Sequence, residues 1–252
     1  MSEFPGISGV DPVDRAAFRR SSPPLVRWRS LDRLTRQHPS GPLVVFTSFI
    51  TLLLPAGLTA SGTVTGVALV FVGYAAWTLT EYWVHRGLFH WEAAWKAAPG
   101  AAMARLRRTL HGHRHDPPDD RRRLVVPLAV TMPMALILSG LSRLALGAHW
   151  MAFMAGYVLG YLLYDMIHYH VHHHRPRSRA GRALRRWHML HHFADGSRRF
   201  GVSAPWWDLV FGTAGGRRPV SSRSGPGPGL PPSDSCGKPY PAGPAVGSGP
   251  TP

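Results

Sequence analysis

The sequence is poor in cysteine, lysine and acidic residues. Its single cysteine, Cys236, lies in a segment rich in proline, glycine and serine, so an internal disulfide and a metal site of several cysteines are excluded. Metal chemistry would therefore use histidine and carboxylate ligands. Only Lys96 and Lys238 among the 29 basic residues are lysines, against 13 acidic residues. Together with abundant Ala, Gly and Pro, this arginine excess is typical of GC-rich bacterial coding, and we expect no nucleic-acid partner.

Charge is also absent or nearly absent from two long segments. Residues 42–80 contain no Asp, Glu, Lys, Arg or His, and as a helix they would measure about 58 Å, roughly twice the ~30 Å apolar core of a bilayer. Residues 124–164 carry one formal charge, Arg143. Turn-like stretches interrupt these segments at residues 55–63 and 140–149. The sequence predicts an all-α integral membrane protein with four transmembrane helices in two hairpins, at about 43–58, 63–80, 124–143 and 148–165. A soluble hairpin of buried helices is the alternative for the first segment.

The basic residues predict which side of the membrane each part occupies. Seven lie in residues 1–41, nine in 81–123 and twelve after 165, whereas the two opposite loops carry only Arg143. Cytoplasmic loops are enriched in Arg and Lys, so both termini are predicted to be cytoplasmic. The protein is expected to lie in the plasma membrane of a bacterium. The expected organisation is a basic cytoplasmic segment at 1–41, a membrane domain at 42–212 and a disordered Gly/Pro/Ser-rich tail at 213–252.

Thirteen of the 15 histidines form four groups within residues 85–192, on the predicted cytoplasmic side of the hairpins. Pairs four residues apart, such as His168 and His172, can face one point from one helix. Neutral imidazole is a common ligand of iron, zinc and copper. Four converging groups offer more ligands than one ion accepts, so we predict two metal ions in a histidine-rich helical cap. The candidate ligands are His85, His90, His111, His115, His168, His172, His188, His191 and His192, with His113 as a possible addition.

The remaining histidines fit the metal hypothesis less well. His113, His170, His173 and His174 each have the alternative of a solvated or interfacial side chain. His38 and His149 lie outside the four groups, and we expect them to be structural.

The histidine groups resemble the order His-x4-His, His-x-x-His-His, His-x3-His and His-x-x-His-His of the fatty acid hydroxylase and sterol desaturase superfamily of di-metal membrane oxygenases. Within the superfamily, the sequence is more similar to fatty acid 2-hydroxylases. The similar stretches are TEYWVHRGLFH, GYLLYDMIHYHVHH and WHMLHHFADGSRRFGVSAPWWDLVFGT. The resemblance covers roughly residues 75–213. Sterol-type members share the histidine order and the WD-x-x-FGT ending, so a sterol or carotenoid desaturase or hydroxylase is the alternative.

The resemblance implies two metal ions, iron in the active form and zinc able to replace it on purification, that use O2 to hydroxylate a lipid acyl chain at C-2. It also implies a separate cytoplasmic electron donor, ferredoxin-like or cytochrome b5-like, because only 41 residues precede the first predicted crossing. Glu81 and Asp165 are expected to fix the tautomers of ligating imidazoles, with ordinary ion pairs to Arg86 or another neighbour as the alternative.

A rival of another class is a metal transporter or metal buffer. Transporters need ionisable groups at mid-depth in the membrane, and residues 42–80 have none, which argues against permeation.

One position departs from the superfamily pattern. The second histidine motif reads HGHRH, with Arg114 where the pattern has the first of two paired histidines. A guanidinium cannot bind a cation. His113 would point about 100° away on a regular helix. We therefore expect the second metal ion to be held by fewer imidazoles, unless the backbone there is irregular.

Overall fold

The computed structural model describes residues 29–90 and 121–215. These residues form helices and connecting turns, with no strand among them. In chain order the elements are α1 (Arg29–Leu34), α2 (Ser40–Ser61), α3 (Thr63–Trp83), a π-helix (Val84–Phe89), α4 (Leu128–Leu146), a 3-10 turn (Gly147–His149), α5 (Trp150–His173), α6 (Arg179–Phe193) and α7 (Trp206–Val210).

The first hairpin reverses direction at a single residue. Helix α2 continues through Pro55 to Ser61, and the chain reverses at Gly62, where φ is +75° and a residue with a Cβ would be strained. The turn is thus shorter in the structure than the predicted stretch 55–63, and α2 continues past residue 58, while the predicted bounds of the crossing stay a prediction. Proline removes only one hydrogen bond from the helix ladder, and long apolar helices tolerate that loss.

The second hairpin reverses at the 3-10 turn, within the predicted 140–149 break. Gly147 there has a φ of +54°. After this turn α5 runs back along α4: the backbone N–H of Val126, just before α4, donates to Oδ1 of Asp165 in α5 at 3.3 Å. His149 Nδ1 lies 3.0 Å from Ser61 Oγ, so the two hairpin turns lie at one end of the molecule. We call this the hairpin end and the opposite one the histidine end.

Three helical stretches of the described chain are long and apolar enough to cross a membrane: Ser40–Ser61, Thr63–Leu88 and Leu128–His173. The third contains the 3-10 turn, and its 46 residues measure about 69 Å, enough for two crossings of a ~30 Å core. Large apolar side chains such as Leu52, Val64 and Leu144 point outward and are exposed. The membrane-type helices are therefore confirmed, while the number of crossings and their orientation stay predictions.

Helix α5 lies against α2, α3 and α4 and occupies the centre of the bundle. Its contact with α3 depends on glycine: a Cβ on Gly156 would overlap the Val70 carbonyl, and one on Gly73 would overlap the Phe153 carbonyl. Small residues permit this close approach of two backbones, as in membrane helix pairs. The packed helices hold the carboxyl ends of α3 and α5 side by side at the histidine end.

Candidate metal centre

Four histidines from two helices form the first cluster. His168 and His172 lie one turn apart on α5, and His188 and His192 lie one turn apart on α6. One nitrogen from each lies within 4.8 Å of the others. His188 Nε2 is 2.9 Å from both His172 Nε2 and His192 Nε2. We call this group the four-histidine cluster.

The donor set of this cluster suits a cation better than a hydrogen-bond network. An imidazole Nε2 has one in-plane site, a proton or a lone pair, so His188 cannot make two good hydrogen bonds there. Two imidazoles bound at right angles to one cation at about 2.1 Å would place their nitrogens about 3 Å apart. His188 Nδ1 is buried with no hydrogen-bond partner among the described residues. These side chains therefore fit a bound metal ion.

Protonation at this site is opposed by burial. Burial lowers the pKa of His188 well below its usual value, and the neighbouring histidines lower it further. Burial also lowers the pKa of His191, although a hydrogen bond to the Arg198 carbonyl opposes the shift. Both imidazoles are thus neutral near pH 7, the form that binds metal ions.

Three histidines form the second cluster. His85 and His90 come from the π-helix and the residue after it, and His191 comes from α6. His90 Nε2 and His191 Nε2 are 3.0 Å apart, and the ring centroids of His85 and His191 are 4.6 Å apart. His191 and His188 stand three residues apart on α6, so this three-histidine cluster adjoins the first one.

The π-helix brings His85 and His90 together. Five residues of α-helix would turn their side chains about 140° apart. In the structure the His90 N–H donates to the His85 carbonyl at 3.2 Å, a bond five residues long, and the two ring centroids are 5.0 Å apart. Single π-turns inside helices are frequent at functional sites. The sequence prediction missed this element.

Backbone carbonyls orient two of the imidazoles. His85 Nδ1 donates to the Phe200 carbonyl and His191 Nδ1 donates to the Arg198 carbonyl, each at 2.6 Å. Because each Nδ1 then carries the proton, the Nε2 lone pair is available to a metal ion. These partners have no signature in the sequence, since any residue type supplies a carbonyl.

Glu81 holds the backbone at Val202 and Ser203. Its carboxylate accepts hydrogen bonds from the N–H groups of Val202 at 2.7 Å and Ser203 at 2.8 Å, and from the Ser203 hydroxyl. The hydrogen bonds of Glu81 among the described residues go to these groups, and its expected role in fixing an imidazole tautomer stays a prediction. Arg86 donates to the Tyr82 hydroxyl at 2.8 Å, and the ion pairs found among the described residues do not include one between Arg86 and Glu81.

Two further carboxylates are buried at the histidine end. Asp165 accepts hydrogen bonds from the Val126 N–H at 3.3 Å and the Tyr161 hydroxyl at 3.2 Å. Asp208, which sequence reasoning missed, accepts from the backbone N–H groups of Phe200 at 2.8 Å and Gly201 at 2.9 Å. In the sequence, Asp208 stood out only as the aspartate of the WD-x-x-FGT motif.

Several predicted residues are not in either cluster. His111, His113, His115 and Arg114 lie outside the described residues, and their roles stay predictions. His170 and His174 are exposed on or beside α5 and take no part in the two clusters, and His173 is half-buried outside them. His38 Nδ1 lies 2.7 Å from Ser40 Oγ, at the start of α2.

An apolar groove runs along the outer side of α3 towards the π-helix. Its volume is about 550 Å³. Val84, which lines it, is the residue before His85. The lining residues are Ala76, Leu79, Thr80, Trp83, Val84 and Leu88.

Comparison with known proteins covers most of this region. A family model described as "Fatty acid hydroxylase" matches residues 70–213. A solved structure of full-length Scs7p, in which only the hydroxylase domain is visible, superposes with a TM-score of 0.68 at 30% identity. That superposition covers 74% of this chain and 70% of that chain.

Curated relatives are similar over much of the same region. A dihydroceramide fatty acyl 2-hydroxylase of Arabidopsis thaliana is 35% identical, over 62% of this chain and 64% of its own length. A ceramide very long chain fatty acid hydroxylase of Schizosaccharomyces pombe is 35% identical, over 59% and 43%. The human fatty acid 2-hydroxylase is 32% identical, over 73% and 48%. The chain thus spans between 43% and 64% of the length of these relatives.

Proposed function

Since this chain belongs to the fatty acid hydroxylase family, we propose that it hydroxylates a lipid acyl chain, at C-2, by an O2-dependent reaction at two metal ions. The observation that carries the proposal is the meeting of seven histidines from three helical elements in two adjoining clusters. The comparisons support it, because three relatives are named as fatty acid or fatty acyl hydroxylases.

The reaction breaks one C–H bond of the methylene next to the acyl carbonyl and forms one C–O bond. One oxygen atom of O2 becomes the hydroxyl group, and the other leaves as water with two protons and two electrons. Two bound iron ions would supply the activation of O2 and the removal of hydrogen, which no protein side chain supplies. The two electrons would come from a separate donor protein.

The side chains divide into two ligand sets. The four-histidine cluster would hold one ion and the three-histidine cluster the other, with His111 and His115, and His113 if it turns inward, as further ligands. The Phe200 and Arg198 carbonyls keep His85 and His191 in the tautomer that binds metal. The role of this chain is to hold neutral imidazoles in place before the metal arrives, which limits the rearrangement on binding.

The acyl substrate would lie in the groove on α3. The groove is apolar, it faces the side on which α3 is exposed, and it reaches Val84 beside His85. An acyl chain there stays in a lipid-like environment while its carbonyl end reaches the histidine end. This places the methylene next to the carbonyl near the second cluster, and it shields that methylene from bulk water.

The electron donor would dock on α6. Arg179, Arg182 and Arg186 are exposed on the helix that carries His188. An acidic carrier, ferredoxin-like or cytochrome b5-like, is attracted to such a basic surface and would arrive close to the four-histidine cluster. In the proposed orientation this surface faces the cytoplasm.

Mass spectrometry of total lipids tests the proposal. We would express the full chain in a host that lacks 2-hydroxy lipids, and we expect acyl species heavier by one oxygen atom, with fragmentation placing the hydroxyl at C-2. His168→Ala and His188→Ala should abolish the product, and His170→Ala, an exposed histidine on the same helix as His168, is the matched control. Loss of two hydrogen atoms without a gain of oxygen would replace hydroxylation by desaturation.

Loss of product must be separated from loss of the protein. Membrane content and bound metal are therefore measured for each variant. Near-full activity of both His168→Ala and His188→Ala, in protein present at the wild-type level, would overturn the two-cluster site.

A further inference from the structure

The short helix α7 and the residue after it carry an uncovered apolar surface. Leu209 and Val210 are 70% and 66% exposed, and Trp206 and Phe211 are exposed as well. Asp208, between them, is fully buried and faces the protein. Four large apolar side chains exposed on one short segment are unfavourable in water, because burying apolar surface is favourable. We call Trp206–Phe211 the WF segment.

The depth of the WF segment follows from its contacts with α3. Trp207 Nε1 donates to Thr78 Oγ1 at 3.1 Å. The Phe211 ring stacks on Tyr82 at 4.8 Å and meets the Trp83 ring edge-on at 5.2 Å. Thr78 to Trp83 is the last stretch of α3, about 8 Å long, and it belongs to a stretch long and apolar enough to span a membrane. The WF segment therefore lies beside the end of a candidate span and not beyond it.

The exposed side of α3 is continuous with the WF segment. Phe71 and Val72 are exposed further along α3, and Trp83 is exposed where Phe211 contacts it. Lipid that covers the outer side of α3 would meet Phe211 next. Tryptophan and phenylalanine at this depth are typical of the boundary between headgroups and acyl chains.

We propose that the WF segment is an interfacial membrane anchor that inserts Trp206, Leu209 and Val210 into the headgroup and acyl boundary of a phospholipid bilayer. The proposal does not depend on the reaction proposed above. It has a structural consequence, because Asp208 joins the anchor to the Phe200 N–H and to Trp187 Nε1, at 2.8 and 3.3 Å. The anchor is thus tied to the segment that holds His85 and to the helix that bears His188, and it fixes the height of the histidine clusters above the bilayer.

Site-specific fluorescence measures the depth of this segment. Cys236 is the only cysteine, so Leu209→Cys and, separately, Val210→Cys are made in full-length Cys236→Ser protein and labelled with an environment-sensitive nitrobenzoxadiazole dye. The proteins are placed in bilayers of phosphatidylcholine and phosphatidylglycerol. Lipids brominated near the headgroup quench a label at the boundary, and aqueous iodide quenches a label in water.

Two matched positions calibrate the scale. Leu52 is exposed in the middle of α2, and a label on Leu52→Cys should be reached by deeply brominated lipid. Ala183 is exposed on α6, and a label on Ala183→Cys should be quenched by iodide.

We expect the labels at positions 209 and 210 to lose most of their fluorescence to shallow brominated lipid and to be protected from iodide relative to position 183. Quenching by iodide equal to that at position 183 at both sites would overturn the anchor. Protection from both quenchers would also overturn it, because a protein surface, such as a second copy of this chain, would then cover the segment.

Discussion

Asp208 is the best example of a residue whose importance lies in the backbone it holds. Its two oxygens accept hydrogen bonds from the N–H groups of Phe200 and Gly201, from the Thr213 hydroxyl at 2.7 Å and from Trp187 Nε1. Phe200 in turn presents its carbonyl to His85. A buried carboxylate that lies outside both clusters therefore controls the orientation of an imidazole within one of them.

We predict that Asp208→Asn weakens metal retention and stability while the protein still reaches the membrane. One carboxylate oxygen becomes an NH2 group, so at least one buried backbone N–H loses its acceptor, at a cost of about 1–3 kcal/mol. Metal per chain and the melting temperature in detergent should both fall. Asp195→Asn is the control, since the Asp195 side chain is 41% exposed and its carboxylate bonds to Ser197 and to the Arg198 guanidinium, both close in sequence. Unchanged metal content in Asp208→Asn would contradict the positioning role.

Arg114 gives a second prediction, based on the sequence. Because a guanidinium cannot be a ligand, the second ion should be held by fewer imidazoles than the superfamily pattern provides. Arg114→His is then expected to raise the metal content of the purified protein from nearer one towards two ions per chain. Elemental analysis decides this. Two metal ions per chain in both wild type and His113→Ala would show that the deficit does not exist.

Burial of His188 and His191 predicts how stability depends on pH. Their pKa values are lower in the folded protein than the unfolded value of about 6.5, so the unfolded chain binds more protons below that pH. Stability should be constant above about pH 6.5 and should fall as the pH is lowered further. Thermal melting of metal-stripped protein at pH 7.5 and 5.5 checks the sign. A melting temperature that is equal or higher at pH 5.5 would contradict it.

The sequence predicted residue types well and their supporting contacts poorly. The spacing of His168 with His172, and of His188 with His192, follows helical geometry, so these pairs could be anticipated from the sequence. The convergence of His85 with His90 could not, because it requires a π-helix that α-helical periodicity excludes. The partners of His85 and His191 are carbonyls, which leave no trace in residue identity.

Among the elements, α5 carries most of the packing through its glycines. Gly156 and Gly73 lie at the contact between α5 and α3, where neither has space for a Cβ. Helix α4 differs, because a Cβ added at Gly140 would have no other atom within 4 Å. Glycines of similar appearance in the sequence thus have opposite structural roles, which only the arrangement of helices reveals.

We predict that Gly156→Ala lowers stability by about 1–3 kcal/mol through overpacking against the Val70 carbonyl. Gly140→Ala is the matched control, and it should be neutral or raise stability by up to about 1 kcal/mol, because alanine favours helix over glycine. Thermal unfolding of both variants in the same detergent gives the comparison. Equal effects of the two substitutions would show that the α3 and α5 contact is not tight.

At the scale of the whole molecule, the apolar segments identified two hairpins because charge must be absent over the length of a membrane crossing. Their bounds were less accurate, since Pro55 and Gly57 have turn-like identities and yet lie inside α2. Family membership was also foreseen, because the histidine motifs occur in a fixed order over residues 75–213. The side of the membrane on which the histidine end lies depends on flanking arginines, and many of these lie outside the described residues.

The last prediction concerns that orientation. The split of 28 basic residues to 1 predicts that the histidine end, both termini and the proposed electron donor lie in the cytoplasm. In intact bacterial cells, an impermeant maleimide should therefore fail to label Cys236 from outside. It should label Ala148→Cys in Cys236→Ser protein, because Ala148 is exposed in the 3-10 turn at the hairpin end. Permeabilised cells should show labelling of Cys236 and so control for its reactivity. External labelling of Cys236 together with protection of position 148 would invert the topology, and the electron donor would then have to act from the opposite side of the membrane.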